Sequence, residues 1–325
     1  MKERLENENI HDYAIRLYTN KKEYGLNSCS IADLLNKETG LEKTESAWRK
    51  RYRAFMDGMN YAVSQNINNV AERILCVSDC HVPFQLPIEN LAKFKDKVDT
   101  LVLNGDIGDC QSISSFPKVY RKSPMEEMIE TRKYMIDMIE YIKPKKVVIN
   151  YGNHDLRFQS YLAKNLDSDI FELMPQTSLE LIVVDGFNHY NKEDKTKVYY
   201  SPIKDVFKDI EIIYTDDWKT QIGSVVFAHP KAFSSGILKT AEKAMGWFRN
   251  EGYVFDTLVM AHTHRIGSFY VGNTVLYEQG AFSDVKKNNY SDGKLYNSQK
   301  EGFIYLCLDK DGKCIKDKTE LVVLN

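Results

Sequence analysis

Five short polar clusters carry the residue types that hold metal ions: Asp79-Cys80-His81, Gly105-Asp106-Ile107-Gly108-Asp109, Asn153-His154-Asp155, His229 and His262-Thr263-His264. Five of the seven histidines fall within them. An Asp and a His at i and i+2 offer a carboxylate and an imidazole that can turn toward one point as a chain leaves a strand. Asp106 adds a second carboxylate, whose two oxygens can bridge two cations. Asn153 supplies a neutral amide oxygen, and His229, His262 and His264 supply three more imidazoles. This mixed N/O set, without thiolates, suits a pair of Mn, Fe or Zn ions. Two such ions about 3.5–4 Å apart activate a bridging water and clamp the oxygens of an in-line displacement at phosphorus. His154 directly follows a ligand-type residue and is free to protonate a leaving oxygen, with Asp109 to orient it. Singly, His81 or His229 reads as an ordinary core histidine. Five clusters in succession read as one centre.

The elements that must position these residues are legible around them. Each cluster follows an apolar run: Ile74-Leu75-Cys76-Val77, Leu101-Val102-Leu103, Val147-Val148-Ile149, Val225-Val226-Phe227 and Leu258-Val259-Met260. Such runs bounded by turn residues read as buried strands, and open α/β sheets place their sites at the carboxyl ends of strands. Helices are expected over Leu86–Val98 and Pro124–Lys143; the Met and Ile residues of the second recur at helical spacing and read as core. Alternating strands and helices imply a parallel sheet with right-handed crossovers. Beyond residue 178 the chain reads as strand-rich: Leu179–Val184, Ile210–Tyr214, Gln221–Ala228, Thr257–Ala261, Gly267–Val271, Thr274–Glu278 and Phe303–Leu308, with one amphipathic helix at Ile237–Asn250. The expected architecture is two sheets packed face to face with helices outside. Asn188–Thr196 and Ser283–Gln299 are expected as loops.

Taken in order, these motifs resemble the calcineurin-like metallophosphoesterase superfamily, whose pattern is Asp-x-His, Gly-Asp-x-x-Asp, Gly-Asn-His-Asp/Glu, a lone His and Gly-His-x-His. The resemblance runs from about Arg73 to Leu308 and fills every ligand position. It implies a four-layer α/β/β/α sandwich and two divalent ions, manganese foremost with iron or zinc as alternatives. It implies one ion on Asp79, His81, Asp106 and His264, the other on Asp106, Asn153, His229 and His262, and His154 with Asp109 as general acid. The chain departs from the pattern at Ala228 and Ala261, where glycine is usual. Cys110 stands where the phosphoprotein phosphatases have arginine, and Asp155 stands in place of Glu. These departures point to the phosphodiesterase and nuclease branches. Arg157 and Arg265, each just beyond a motif, are candidate phosphate donors.

Composition narrows the alternatives. The chain has 325 residues, 43% of them hydrophobic, enough for one large domain with a small appendage. A net charge of −2 gives no global attraction to nucleic acid, so any basic patch is local. The six cysteines form no CxxC pair and read as reduced thiols. The charged N-terminus and the lack of a membrane-length apolar run give the expectation of a soluble, cytoplasmic protein. Residues 1–70 read as a helical, helix-turn-helix-like module, with helices starting at Ser30 and Thr44, a turn at Gly40 and a linker at Asn66–Asn69; residues 71–325 read as the catalytic domain. The run Trp48-Arg49-Lys50-Arg51-Tyr52-Arg53 is an aromatic-interleaved basic stretch that could bind DNA; a solvated helix face or an oligomerising appendage is the alternative. The module loosely resembles those fused to phage and bacterial DNA-processing proteins. Three functions are compatible with the chain: a phosphodiesterase acting on nucleic acid, a small-molecule or nucleotide phosphoesterase, and an inactive binding scaffold, the last disfavoured because no ligand is lost.

Overall fold

The computed structural model describes the chain apart from residues 1, 6–7, 69, 116–121, 193, 289–298 and 325. It divides into two compact units, Met1–Asn69 and Val70–Asn325. The first unit contains α1 (Ile10–Thr19), α2 (Ser28–Thr39) and α3 (Glu45–Asn68). Asn9 and Asn27 cap α1 and α2 with their side-chain oxygens. Ser30 therefore lies inside α2 and is not its cap: its N–H donates to the capping Asn27 Oδ1 at 2.8 Å. Tyr13, Leu17, Ile31, Leu35 and Trp48 form this unit's own core, and the Trp48 indole donates to Asn36 Oδ1 at 2.7 Å. The linker expected at Asn66–Asn69 is helical as far as Asn68, and Asn69 lies outside the described residues.

Among the described residues, thirteen strands make up the sheets of the second unit: β1 (Glu72–Val77), β2 (Thr100–Asn104), β3 (Lys146–Asn150), β4 (Phe187–Asn191), β5 (Thr196–Tyr200), β6 (Glu211–Tyr214), β7 (Lys219–Ile222), β8 (Val225–Ala228), β9 (Thr257–Met260), β10 (Ile266–Val271), β11 (Thr274–Gln279), β12 (Gly302–Leu308) and β13 (Glu320–Val323). One sheet runs β13-β12-β1-β2-β3-β6, a second β10-β11-β9-β8-β7, and β4 and β5 pair as a separate two-stranded sheet. The strands β1, β2, β3 and β6 are mutually parallel, as are β8, β9 and β11. Side chains alternate between the two faces of a strand, and this period builds the layers. Ile74, Cys76, Val102 and Val148 of the first sheet meet Val225, Phe227, Val259 and Val275 of the second in an inter-sheet core. Leu75, Val77, Leu101, Leu103, Val147 and Ile149 face the opposite way, onto α4 (Pro124–Ile142). Val226, Ala228, Leu258 and Met260 face the helix Lys239–Asn250. The result is a four-layer α/β/β/α sandwich.

The helix α4 starts where its sequence says it should. Ser123 and Glu126 form a reciprocal capping box with Pro124 in the first turn, an arrangement contributing about 1 kcal/mol. Its Met128, Met135 and Ile139 are buried in the core.

Elsewhere local pattern misleads. Leu86–Val98 forms only a single tight helical stretch, Ile88–Phe94, which starts after Pro87 and stops where Lys95 becomes extended. Leu179–Val184, a β-branched run, is helical: Thr177 Oγ1 accepts from Glu180 N at 3.2 Å, and Gly186 N closes a wide turn on Leu181 O at 2.8 Å. Gln221–Ala228 is two antiparallel strands, β7 and β8, with a turn between them at Gly223-Ser224. Asn188–Thr196 is a hairpin, β4 with β5, and not a free loop. Most of Ser283–Gln299 lies outside the described residues. All six cysteines are unbridged. No helix among the described residues is long and apolar enough to cross a membrane.

Candidate metal centre

The carboxyl ends of β1, β2, β3, β8 and β9 deliver the five clusters to one place. The turn after β1 zips onto the turn after β2: Asp79 N donates to Gly105 O, His81 N to Asp106 O and Val82 N to Ile107 O, at 2.9–3.1 Å. Asp79, His81, Asp106, His262 and His264 all take positive φ, between 47° and 73°. Two glycines make room. A Cβ on Gly152 would lie 2.1 Å from Asp106 Oδ1, and one on Gly105, at φ 81°, 2.6 Å from His229 Nδ1.

Two triads result. Asp79, His81 and His264 form one, and Asp106, His229 and His262 the other, each with its donor atoms within 4.8 Å of one another. His264 Nε2 lies 3.1 Å from both Asp79 Oδ1 and His81 Nε2. His229 Nε2 lies 3.2 Å from Asp106 Oδ2 and 3.2 Å from Asn153 Oδ1. It is also 3.9 Å from Asp79 Oδ1, so the triads adjoin. The other nitrogen of His229, Nδ1, donates to Asn104 O at 2.8 Å, which turns Nε2 inward.

The electrostatics ask for cations. Burial opposes charge throughout the cluster, yet the neighbouring imidazoles hold Asp79 and Asp106 well below the ordinary carboxylate range. Burial likewise works against a charged His229, but Asp106 and Asp79 outweigh it and push that imidazole up to about 10. His262 goes the other way, down to about 3, through burial and then the charge of His229. Its Nε2 is buried with no hydrogen-bond partner. A buried lone pair beside two buried carboxylates is what a metal ligand set looks like before the ion is counted. The residues fit divalent cations.

Around the triads lies a supporting shell, of which the motifs disclosed only Asp155. Asp155 Oδ2 accepts from Asp106 N at 2.9 Å and Gly152 N at 2.8 Å, pinning two ligand loops together. Burial, with the charge of Asp106, raises its carboxyl to about 8. Asn150 Nδ2 donates to Asn104 Oδ1 at 2.8 Å, and Asn104 Nδ2 to Ala228 O at 3.3 Å, tying β3, β2 and β8 beneath the centre. Gln279 donates to Ser78 Oγ, whose hydroxyl donates to Asp79 Oδ2, each at 2.5 Å. Asn104 and Asn150 carried a signal in the sequence, a polar residue ending an apolar strand; Gln279 carried none.

His154 and Asp109 sit at the edge of the first triad. Asp109 Oδ1 is 3.0 Å from His154 Nδ1 and 3.2 Å from His81 Nδ1, so one carboxylate serves two imidazoles. Against the effect of burial, those rings hold it well below the usual range. Arg157 Nη1 donates to Asp109 O at 2.7 Å and Nη2 meets His154 Nε2 at 3.0 Å. A guanidinium only donates, so Nε2 accepts and the proton of this ring is on Nδ1. Arg265 is placed otherwise than its position beside a motif implied. It is buried, and its guanidinium donates to Gly236 O at 2.9 Å and Ser235 O at 3.0 Å, so it clamps a loop. Arg49, Lys50, Arg51 and Arg53 are exposed on α3 in the other unit. Arg49 pairs with Glu45 at 3.4 Å, and Arg51 lies over the Trp48 ring.

A cavity of about 510 Å³ opens beside the second triad, with Asn153 and His229 in its wall.

A family model described as calcineurin-like phosphoesterase matches residues 72–265, more than half of the chain, and a YonJ N-terminal domain model matches residues 1–67. The SPbeta prophage-derived uncharacterized protein YonJ of Bacillus subtilis (strain 168) is 45% identical over 58 residues, 18% of this chain and 14% of that protein. The chain thus matches about one seventh of the length of this relative. Among solved structures, a novel archaeal phosphodiesterase is 16% identical with a TM-score of 0.36, covering 78% of this chain and 99% of that one. Vacuolar Protein Sorting 29 from Cryptosporidium parvum is 14% identical with a TM-score of 0.37, covering 79% and 100%. These structural scores are low, and the assignment rests on the family model. By that match the chain belongs to the calcineurin-like phosphoesterase family, which supports its being a metal-dependent phosphoester hydrolase.

Proposed function

We propose that this chain is a dinuclear-metal phosphodiesterase acting on nucleic acid. Asp79, His81 and His264 with Asp106 would hold one divalent ion; Asp106, Asn153, His229 and His262 would hold the other. The observation that carries this reading is the adjacency of two complete triads, joined by Asp79 Oδ1 at 3.9 Å from His229 Nε2. When bound, the ions supply Lewis-acid polarisation of the phosphoryl oxygens and an activated water. The protein's own part is positioning and proton delivery. Asp109 accepts from His154 Nδ1 and fixes the ring. An anionic phosphate draws the Arg157 guanidinium off His154 Nε2; Nε2 then takes a proton from solvent, and the imidazolium, held through Nδ1 by Asp109, passes that proton to the leaving oxygen. The exposed basic residues of α3 support contact with a nucleic-acid backbone, a local patch on a chain of net charge −2. A nucleotide or other small phosphoester is the second reading, favoured by the bounded cavity beside the centre.

The test is metal analysis with parallel assays. Protein reconstituted with Mn²⁺ should approach two ions per chain and hydrolyse bis-p-nitrophenyl phosphate faster than p-nitrophenyl phosphate. It should cleave single- or double-stranded DNA, and a chelator should stop all of these. Fewer than one ion per chain with activity surviving chelation refutes the dinuclear reading. Two ions, with DNA untouched and mononucleotides hydrolysed, moves the assignment to the second.

A further inference from the structure

The cavity beside the second triad has a composition that the hydrolytic chemistry does not require. Trp218, Trp247, Phe233 and Tyr151 line it, with Lys231 and Lys243 as its cations. The two indoles pack at 5.2 Å between centroids, and the buried Phe248 lies against both, at 5.5 and 5.1 Å. Lys219, which does not line the cavity, covers both indoles at 5.3 and 5.8 Å and pairs with Asp217. Held from outside by Phe248 and Lys219, the indoles form a fixed aromatic wall. The wall carrying Phe233 is fixed as well. Arg265 grips its loop through Gly236 O and Ser235 O with the guanidinium 5.2 Å from the Phe233 ring, and Ser234 N donates to Thr240 Oγ1 at 3.0 Å. Phe233 in turn meets the ligand-type His262 edge-on at 5.9 Å.

We infer that this cavity is a nucleobase subsite, which holds the base of the nucleotide whose phosphate lies at the triads. Three observations converge on that occupant. The walls are aromatic and preorganised, which suits a flat π-system and is tolerant of base identity. The lysines are placed for the negative charge of flanking phosphates. Asn153 and His229 belong to both the cavity and the ligand cluster, so a group bound here is continuous with an ester at the metals. The volume of about 510 Å³ lies in the range of small-molecule sites. This assignment rests on the proposed phosphoesterase only for where the phosphate sits. Arg265, in the residue after the last metal motif, acts as a positioning residue for the far wall.

The experiment is an equilibrium titration of the intact chain, followed by calorimetry, with Mn²⁺ and again after chelation. The probes are adenosine 5′-monophosphate, ribose 5-phosphate, inorganic phosphate and a short single-stranded oligodeoxyadenylate. The base should tighten binding about 5- to 150-fold over ribose 5-phosphate, the range of aromatic stacking. Trp247→Ala should abolish that preference and Trp247→Phe should keep most of it, while metal content and inorganic phosphate affinity stay unchanged. Both Trp247 and Phe233 are substantially exposed, at 40% and 47%, so Phe233→Ala provides a second folded variant. Loss confined to the mononucleotide assigns the subsite to free nucleotides, and loss with both probes assigns it to a base within a strand; either supports the inference. No preference for the base in the wild-type chain, or a preference that survives both variants, overturns it. A base preference that persists in protein unable to take up Mn²⁺ would sink the metal reading and leave the subsite standing.

Discussion

Replacing His154 with alanine separates the roles proposed for this cluster, because the structure offers His154 two rival ones. It is 3.0 Å from Asp109 and only 3.9 Å from Asp106 Oδ2, as a proton donor held outside the triads would be. Yet His81, Asp109 and His154 themselves form a third triad with metal-compatible spacing. If His154 is the general acid, its loss should lower turnover roughly 10²- to 10⁴-fold on a dinucleotide, whose leaving alkoxide needs a proton. That is about 2.7–5.4 kcal/mol of barrier. The loss should shrink to less than about tenfold on bis-p-nitrophenyl phosphate, whose leaving group is stable as an anion. Folding should survive. The buried Asp109 keeps His81 Nδ1 at 3.2 Å and Gln111 Nε2 at 3.3 Å, which limits the cost to about 1–3 kcal/mol. Metal content by mass spectrometry and turnover on both substrates decide the matter. An equal loss on both substrates, or the loss of one ion per chain, would refute the general-acid role and make His154 a ligand.

Three further outcomes follow from the geometry. Gly152→Ala should lower metal affinity and destabilise the fold by about 1–3 kcal/mol, since its Cβ would collide with Asp106 at 2.1 Å and with Asp106 N at 2.6 Å; calorimetric melting and metal titration check this, and unchanged values would mean the loops are not rigidly held. Replacing Lys50 and Arg53, which have no ion-pair partner among the described residues, should weaken DNA binding and flatten its salt slope by about 1.8, at about 0.9 per lost duplex contact, with bis-p-nitrophenyl phosphate turnover unaffected; an unchanged slope removes α3 from the DNA reading. Arg265→Ala should raise KM for nucleotide substrates with little change in kcat on bis-p-nitrophenyl phosphate, because the loop it clamps bounds the cavity and the triads do not include it; a fall in kcat alone on both substrates would show that it acts on the reacting phosphate.

Much of the architecture was legible because its signals are local and repeated. A buried parallel strand is a short apolar run with both faces covered, and β1, β2, β3, β8 and β9 each show one that stops at a polar cluster. What failed were the places where tertiary contacts overrule local preference. The β-branched run Leu179–Val184 became helical because Thr177 caps it and Leu179, Ile182 and Val183 reach the core at helical spacing. Arginine direction was equally opaque. Arg157 and Arg265 occupy similar places after motifs, yet one engages Asp109 and His154 and the other turns to the carbonyls of a loop. Sequence proximity to a site says nothing about where five N–H groups point. The supporting shell was hidden for a related reason: Gln279 and Ser78 are far apart in sequence and meet only because β11 and β1 belong to facing sheets.

The backbone explains how such short motifs can converge at all. A side chain at i and another at i+2 leaving a strand should diverge into a turn, and a left-handed residue redirects the chain at each step. Asp79, His81, Asp106, His262 and His264 all adopt it. Glycine would do so without cost, but it carries no ligand, whereas a non-glycine residue there costs of order 1–3 kcal/mol. That strain is tolerated because the loops are over-determined: Asp79, His81 and Val82 hydrogen-bond across to the β2 turn, Asp155 braces Asp106 against Gly152, and His262 N donates to both oxygens of Asp79 at 3.2 Å. The true glycines, Gly105 and Gly152, stand where a Cβ would occupy the ligands' own space. Five ligand-bearing residues thus take left-handed positions, and the two glycines stand where a side chain would crowd the ligands. A chain selected for stability alone would have no reason to divide them so, and one built to hold cations at a fixed geometry would.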